Sequence, residues 1–433
     1  YLIAVVLVAA LLGVLLSRQY LERAPAPAAE YYALLVLAAL GMGVLASTHN
    51  LLVLFVGLEI LSLALYVLVG ITRVWIRSLE ASLKYFLLGA FSTGFILYGF
   101  AFLYGATGSL DLMTMGQEIR HGDPMATTVI MLGLGLVLVG LCFKVAAVPF
   151  HWWAPDVYEG APTPVTAFMA VGTKGAALLA LLRVVTIGFG DSLVAQWTLV
   201  LGVLAILSMV VGNLVALTQR NVKRMLAYSS VAHAGYLLVA VAAGTDLGTS
   251  ALLFYLASYL FTTLGAFGVV SLLSENGPEG EEGYGLLRYA GLGRSHPALA
   301  LSMSIFMLSL TGIPPTSGFT GKYFIFHAAM QQAMPHTGGG VALPGRSLFM
   351  VLALVGLLTS VVSAAYYLRV IVAMYMGKPT GPPLGFRTAL PTGLALGLAA
   401  AAILALGLAP APLYHLTRHI HAALQALAAV WPA

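Results

Sequence analysis

Long apolar stretches alternate with short polar connections along almost the whole chain. A helix needs about 20 predominantly apolar residues to cross the hydrocarbon core of a bilayer. The pattern therefore predicts an all-α polytopic membrane protein with about twelve transmembrane helices. The stretches cover residues 1–17, 31–48, 51–71, 80–105, 126–149, 164–187, 194–218, 226–243, 249–273, 297–334, 347–376 and 388–409.

Prolines interrupt two of these stretches, at KVAAVPFHWW (144–153) and at LTGIPPTSGFTGKYF (310–324). Proline has no N–H, so Pro149, Pro314 and Pro315 each leave a carbonyl one turn earlier without its helical partner. Lipid does not tolerate such an acceptor, whereas a wet cavity inside the protein does. Alternatively, the prolines only kink lipid-facing helices, but a lysine accompanies each break. The carbonyls concerned are those of Val145, Leu310 and Thr311.

The two interrupted segments occupy comparable places in the two halves of the chain. Paired broken segments are typical of transporters built from inverted repeats, with the site at the breaks. We expect two inverted five-helix repeats, each with a broken helix, at 31–187 and 194–376. An N-terminal transmembrane helix and loop (1–30) precede them, and a C-terminal transmembrane helix with an interfacial tail (388–433) follows.

Composition agrees with a membrane location. Of the 433 residues 60% are hydrophobic and only 8% charged, and the mean hydropathy is +0.97, whereas soluble domains carry about 25% charged residues. The net charge of +5 is small and scattered, so nucleic acid is not expected as a partner. The one cysteine, Cys142, excludes an internal disulfide or a thiolate-ligated cluster.

Lysine and arginine are distributed unevenly between the connections, and they favour the cytoplasmic side of a membrane. We therefore expect the odd-numbered connections, including a solvated loop at 274–296, to lie in the cytoplasm. Both ends of this chain are then expected on the opposite, outer side of the membrane. The odd-numbered connections hold Arg18, Arg23, Arg73, Arg77, Arg220, Lys223, Arg224, Arg288, Arg294, Lys378 and Arg387, and the even-numbered ones hold Arg120 and Arg346.

Several titratable side chains lie inside the predicted spans. A charge in hydrocarbon is costly, so such residues normally face the protein interior or water and mark a pathway. Imidazole titrates near neutrality and suits a proton relay. The candidates are Glu59, Lys84, Lys144, Lys174, His233, Lys322 and His327.

Two of these candidates have simpler explanations. Glu59 is either protonated and inert, or paired and functional; Ser62 and Tyr66 fall on its helical face, which favours an inward polar stripe. Lys84 has Glu80 one turn earlier, so an ordinary pair near the membrane surface is the alternative there.

The histidines also allow other interpretations. His233 is either a relay or a hydrogen-bonded core residue. His415 and His419 are one helical turn apart, as in some metal sites, but an interfacial amphipathic helix explains them better. No repeated histidine spacing indicates haem, and no nucleotide fingerprint is visible, so no cofactor is expected in this chain.

Five long motifs spread over nearly the whole chain carry a family resemblance. They are NLLVLFVGLEILSLALYVLVG (50–70), SLEASLKYFLLGAFSTGFILYG (78–99), GLCFKVAAVPFHWWAPDVYEGAPTPVTAFMAVGTKGA (140–176), NVKRMLAYSSVAHAGYLL (221–238) and SLTGIPPTSGFTGKYFIF (309–326). The chain resembles the subunit N family of bacterial respiratory complex I, one of the antiporter-like membrane subunits. Typical members have about two more helices at their start.

The resemblance implies roles residue by residue. Glu59 and Lys84 match the family's helix-to-helix glutamate and lysine pair. Lys144 matches the lysine of the first broken helix, and Lys174 the bridging lysine of the following helix. Lys322 matches the lysine of the second broken helix, where the related M subunit carries a glutamate.

The implied function is proton translocation coupled to NADH oxidation and quinone reduction in other subunits of an NADH:quinone oxidoreductase. Implied partners are the M-type antiporter-like subunit, the small membrane subunits, the lipid bilayer and protons. One alternative is a subunit of a multi-subunit Na⁺(K⁺)/H⁺ antiporter, but only Glu59 offers an embedded carboxylate. Another is a non-transporting structural spacer.

Overall fold

The computed structural model describes residues 1–121, 126–274, 284–334, 346–378 and 388–418. The middle of the 274–296 connection and the end of the tail, with His419, lie outside these ranges. Helices make up most of the described chain. They are α1 (Leu2–Leu21), α2 (Ala28–Ser47), α3 (Leu51–Val69), α4 (Ile76–Thr107), α5 (Leu112–His121), α6 (Ala126–Val145), α7 (Trp153–Gly160), α8 (Thr163–Arg183), α9 (Val194–Thr218), α10 (Val222–Ala242), α11 (Asp246–Leu273), α12 (Leu292–Ser295), α13 (Pro297–Thr311), α14 (Ser317–Ala333), α15 (Arg346–Met376) and α16 (Leu390–Leu408).

The predicted all-α membrane fold is confirmed. Within the described ranges, eleven helices are long and apolar enough to cross a membrane, α8 being extended by a π-helical turn at Val184–Phe189. The remaining predicted span, 297–334, is divided into α13 and α14.

Both predicted interruptions are present, and each begins with a residue in the left-handed region. Ala146 follows α6 with φ 60°, and Gly312 follows α13 with φ 87°. Glycine adopts this conformation freely, whereas alanine pays about 1 kcal/mol. After the first break the chain continues as the short helix α7, and after the second as α14.

Three helices form the centre of the bundle. The most apolar windows of α8, α10 and α11 are 100%, 94% and 89% buried, compared with 33% for α2, α15 and α16. The outer helices expose apolar side chains such as Leu63, Phe91 and Val361, as expected of a surface that faces lipid. Most side chains within these windows, polar ones included, are therefore enclosed by protein.

Contacts between connections agree with an alternating path of the chain through the membrane. An antiparallel bridge joins Asn50, before α3, to Asp111, after α4, and another joins Asn221, before α10, to Gly285, in the connection after α11. The first bridge links two even-numbered connections of the predicted topology and the second links two odd-numbered ones. Each pair thus lies on one side of the bundle.

Candidate functional site

Lys144 lies in the last turn of α6, just before the first break, and is 3% exposed. Its Nζ donates to Ser62 Oγ at 2.9 Å and to the Tyr66 hydroxyl at 3.5 Å, both on α3. Ser62 Oγ in turn donates to the Leu58 carbonyl at 2.5 Å. The polar face that helical spacing predicts for α3 therefore receives the ammonium.

Glu59 lies on this face of α3, within electrostatic reach of Lys144 and Tyr66. Its Oε1 is buried and accepts no hydrogen bond from the described part of the chain. A buried carboxylate oxygen without a donor is costly, so this position suits a group that gains and loses a partner.

Lys174 lies on the fully enclosed helix α8 and is 1% exposed. Its Nζ donates to the carbonyl of Ser230 on α10, and to Ser230 Oγ at 2.6 Å. The Tyr259 hydroxyl on α11 donates to the same Oγ at 3.0 Å. Three central helices thus meet at one serine, which connects the ammonium to a phenol.

His233 lies one turn further along α10 and is also buried. Its Nδ1 lies 2.5 Å from the Tyr255 hydroxyl on α11, and its Nε2 lies 3.2 Å from the Tyr367 hydroxyl on α15. Tyr367 also hydrogen-bonds Ser229. Both imidazole nitrogens therefore have partners that can exchange a proton with them.

Lys322, on α14, closes the second break. Its Nζ donates to the carbonyls of Leu310 and Thr311 at 2.9 Å each, and lies 4.9 Å from the centre of the Tyr236 ring. These are the carbonyls that Pro314 and Pro315 were expected to free. A lysine on one arm of the broken helix thus satisfies the end of the other arm.

Lys84 is not brought to the buried groups. Its side chain is 43% exposed and pairs with Glu80 at 2.6 Å and Asp156 at 3.1 Å. The structure therefore shows the surface pair, and the pairing of Lys84 with Glu59 that the resemblance implies stays a prediction. Lys84 lies in the third turn of α4, where its long side chain reaches the carboxylates at the end of the bundle.

His327 is also outside the buried set. It is exposed and stacks on Tyr323, with ring centres 5.9 Å apart and an interplanar angle of 11°. Five residues along a helix correspond to a rotation of about 140° away from Lys322. The inward position of Lys322 therefore directs His327 outward, and the role of His327 as a relay stays a prediction.

A charged cluster at the odd-numbered connections joins three helices. Arg224 at the start of α10 pairs with Asp156 at 2.9 Å and with Glu159 at 2.7 Å, both on α7. Partial burial alone would raise the pKa of the Asp156 carboxyl, but hydrogen bonds from Lys84 and Arg224 outweigh it and lower this pKa below its usual value. The Asp156 carboxyl therefore remains ionised at neutral pH.

The sequence did not single out the tyrosines that complete the site. Tyr255, Tyr259 and Tyr367 lie in apolar stretches, and the sequence there does not indicate whether a tyrosine faces lipid or the interior of the bundle. Their depth within long spans was the available signal, since membrane tyrosines otherwise concentrate at the interfaces. In the described ranges, no group of three histidine, cysteine or acidic side chains is placed to hold a metal ion.

The arrangement defines an antiporter-like class of membrane protein, in which buried amines and an imidazole are linked to hydroxyl groups between two broken helices. Residues 48–338 match the family model described as NADH:quinone oxidoreductase/Mrp antiporter, TM. NADH-quinone oxidoreductase subunit N of Trichlorobacter lovleyi is 46% identical over 405 residues, covering 93% of this chain and 79% of the relative. Subunit N of Chloroflexus aggregans is 44% identical over 412 residues, covering 94% and 80%.

Solved structures agree. A chain of respiratory complex I from Thermus thermophilus matches with a TM-score of 0.76 and 42% identity over 95% of this chain and 85% of that one. A chain of the Mrp complex from Dietzia matches with a TM-score of 0.80 over 96% and 82%, but at 23% identity it shows the fold alone. The chain belongs to the NADH:quinone oxidoreductase/Mrp antiporter membrane family, and within it to the subunit N group, as the motif resemblance predicted.

Proposed function

We propose that the chain translocates protons as an antiporter-like subunit of a bacterial NADH:quinone oxidoreductase, through Glu59, Lys144, Lys174, His233 and Lys322. The redox reactions take place in other subunits. The observation that carries this proposal is that the three lysines and His233 are each buried and each hydrogen-bonded to hydroxyl or carbonyl oxygens. Side-chain rotation and water complete the route between them.

The charge of Glu59 is the proposed control of Lys144. An ionised carboxylate stabilises a nearby ammonium, and its neutralisation or withdrawal favours release of the proton. Moving one proton against the membrane potential costs about 2.3 kcal/mol for each 100 mV. A change of about 1.7 pKa units at a titrating group supplies this energy, and a charge that moves in low dielectric produces changes of that size.

The organisation proposed for the whole chain rests on the two breaks and on the uneven distribution of lysine and arginine. Residues 31–187 and 194–376 form two inverted repeats, and 388–433 add a helix and an interfacial tail. The subunit contacts an M-type antiporter-like subunit and small membrane subunits in a bacterial plasma membrane. Its odd-numbered connections face the cytoplasm and both ends of the chain face the outside.

The test uses the assembled complex in sealed vesicles. Lys144→Ala and Glu59→Ala should each reduce coupled proton translocation and quinone reduction, whereas Lys378→Ala, at an exposed lysine after α15, should not. Near-normal rates with both buried-site variants would refute the route. Sodium-dependent transport without NADH would favour a cation antiporter. Normal proton translocation after replacement of Lys144, Lys174 and Lys322 by methionine would favour a non-transporting structural spacer.

A further inference from the structure

Gly89 on α4 lies against the ring of Tyr66. A Cβ atom added at Gly89 would lie 2.8 Å from Tyr66 Cζ and 3.0 Å from Cε1, and nearer still to the hydroxyl oxygen. Real Cβ contacts are almost never closer than 3.0 Å. The absence of a side chain at Gly89 therefore leaves the space in which the Tyr66 hydroxyl accepts from Lys144.

Tyr66 has little freedom to avoid such a contact. It is 6% exposed, and its ring packs edge-on against Tyr85, at 4.8 Å between centres, and against Phe86, at 5.7 Å. Tyr85 is itself fully buried and stacks on Trp153 at 4.8 Å. Close-packed interiors transmit a displacement instead of absorbing it, so a methyl group at Gly89 moves either the Tyr66 hydroxyl or α4.

We propose that Gly89 is a positioning residue for proton translocation, because it holds the Tyr66 hydroxyl where it shares the Lys144 ammonium with Ser62. This inference rests on the proposed function of Lys144. Without the phenol, Ser62 is the one side-chain acceptor left among those observed for Lys144. The ammonium then loses part of its hydrogen bonding in a buried place, and its proton equilibrium with Glu59 changes.

Gly94 provides a matched control on the same helix. A Cβ atom there would meet nothing within 4 Å, while both substitutions bring the same gain in helix propensity. In the assembled complex, Gly89→Ala should lower coupled proton translocation about fivefold, equivalent to about 1 kcal/mol. Gly94→Ala should leave the rate unchanged.

Tyr66→Phe separates an effect through the hydroxyl from general disturbance of packing. It fits the available space, so it should assemble, and it should lower the rate because the acceptor is gone. Gly89→Ala added to Tyr66→Phe should then cost much less transport than it costs alone, because no hydroxyl is left to be displaced from Lys144. The amount of subunit in the purified complex checks assembly.

Two results would overturn the inference while the proposed function stands: a normal rate for Tyr66→Phe, or an equal loss from Gly89→Ala with and without the hydroxyl. Both are interpreted against Lys144→Ala in the same vesicles. If Lys144→Ala itself is fully active, the proposed function fails, and the inference about Gly89 fails with it.

Discussion

Replacing Lys322 by methionine should weaken the fold as well as transport, whereas the same change at Lys144 should affect mainly transport. Methionine keeps the length of the side chain but cannot donate. At Lys322 the loss strands the carbonyls of Leu310 and Thr311. At Lys144 it removes the donor to the hydroxyl groups of Ser62 and Tyr66, and the Ser62 hydroxyl still donates to the Leu58 carbonyl.

The magnitude follows from the two stranded carbonyls. A buried acceptor left without a donor costs about 1 to 3 kcal/mol, so Lys322→Met should be less stable than Lys144→Met by about 2 to 6 kcal/mol. Burying an amine also has a desolvation cost, which both substitutions remove. Because that contribution has the same sign at the two sites, the difference between the variants is more informative than either value alone.

The assay is the thermal or denaturant unfolding of the purified, assembled complex, followed by loss of this subunit from it. The unmodified complex and Lys144→Met are measured in the same detergent. Equal stability of the two variants would show that the freed carbonyls find other donors, such as water. The assignment of Lys322 as the group that closes the second break would then be withdrawn.

Three further outcomes are expected. His233→Ala should lower proton translocation because it breaks the link between the two tyrosine hydroxyls, while the exposed His327→Ala should not, as measured in the same vesicles. Gly312→Ala should destabilise the second break by about 1 to 2 kcal/mol, read from thermal unfolding, because alanine must adopt a positive φ there. The pKa of Asp156 is lower in the folded protein than in the unfolded chain, so the ionised carboxylate stabilises the fold at a pH above the ordinary carboxyl pKa. This stabilisation is lost as the pH falls through the pKa of the folded state. The unfolding midpoint should therefore depend on Asp156 only below about pH 4, and Asp156→Asn should remove that part of the acid dependence.

Most of the fold could be predicted from the sequence because hydropathy and proline act locally. The span expected at 51–71 is α3, Leu51–Val69, and both breaks follow the residues whose carbonyls were expected to be free. Boundaries were less certain where a helix carries charge at its end. The span expected from 226 begins at Val222, because Asn221 caps the helix through the N–H of Arg224 at 3.1 Å.

The candidate site could be predicted only in part, because exposure depends on which face of a helix meets its neighbours. Lys144, Lys174 and Lys322 are all buried, as a charge in mid-span implies. Lys84 and His327 carried the same signal but lie on outer faces. For Lys84 the deciding partner, Asp156, is 72 positions away in the chain, and no local pattern could reveal that contact.

Lys223 restricts the kind of movement that this protein can make. From the first turn of α10, its fully buried ammonium reaches the carbonyls of Glu159 and Ala161, at 3.0 and 2.6 Å, and the hydroxyl of Tyr284 at 2.7 Å. A movement of α10 away from α7 that opened a wide cavity would break all three hydrogen bonds at once. It would leave the buried ammonium of Lys223 without these acceptors, which is unfavourable in a low-dielectric interior. A carrier that transports a large substrate by a rocking motion needs a movement of this kind between its helices. Transfer of a proton between neighbouring side chains needs only rotations about a few side-chain bonds. A helix bundle held together by Lys223 permits these rotations.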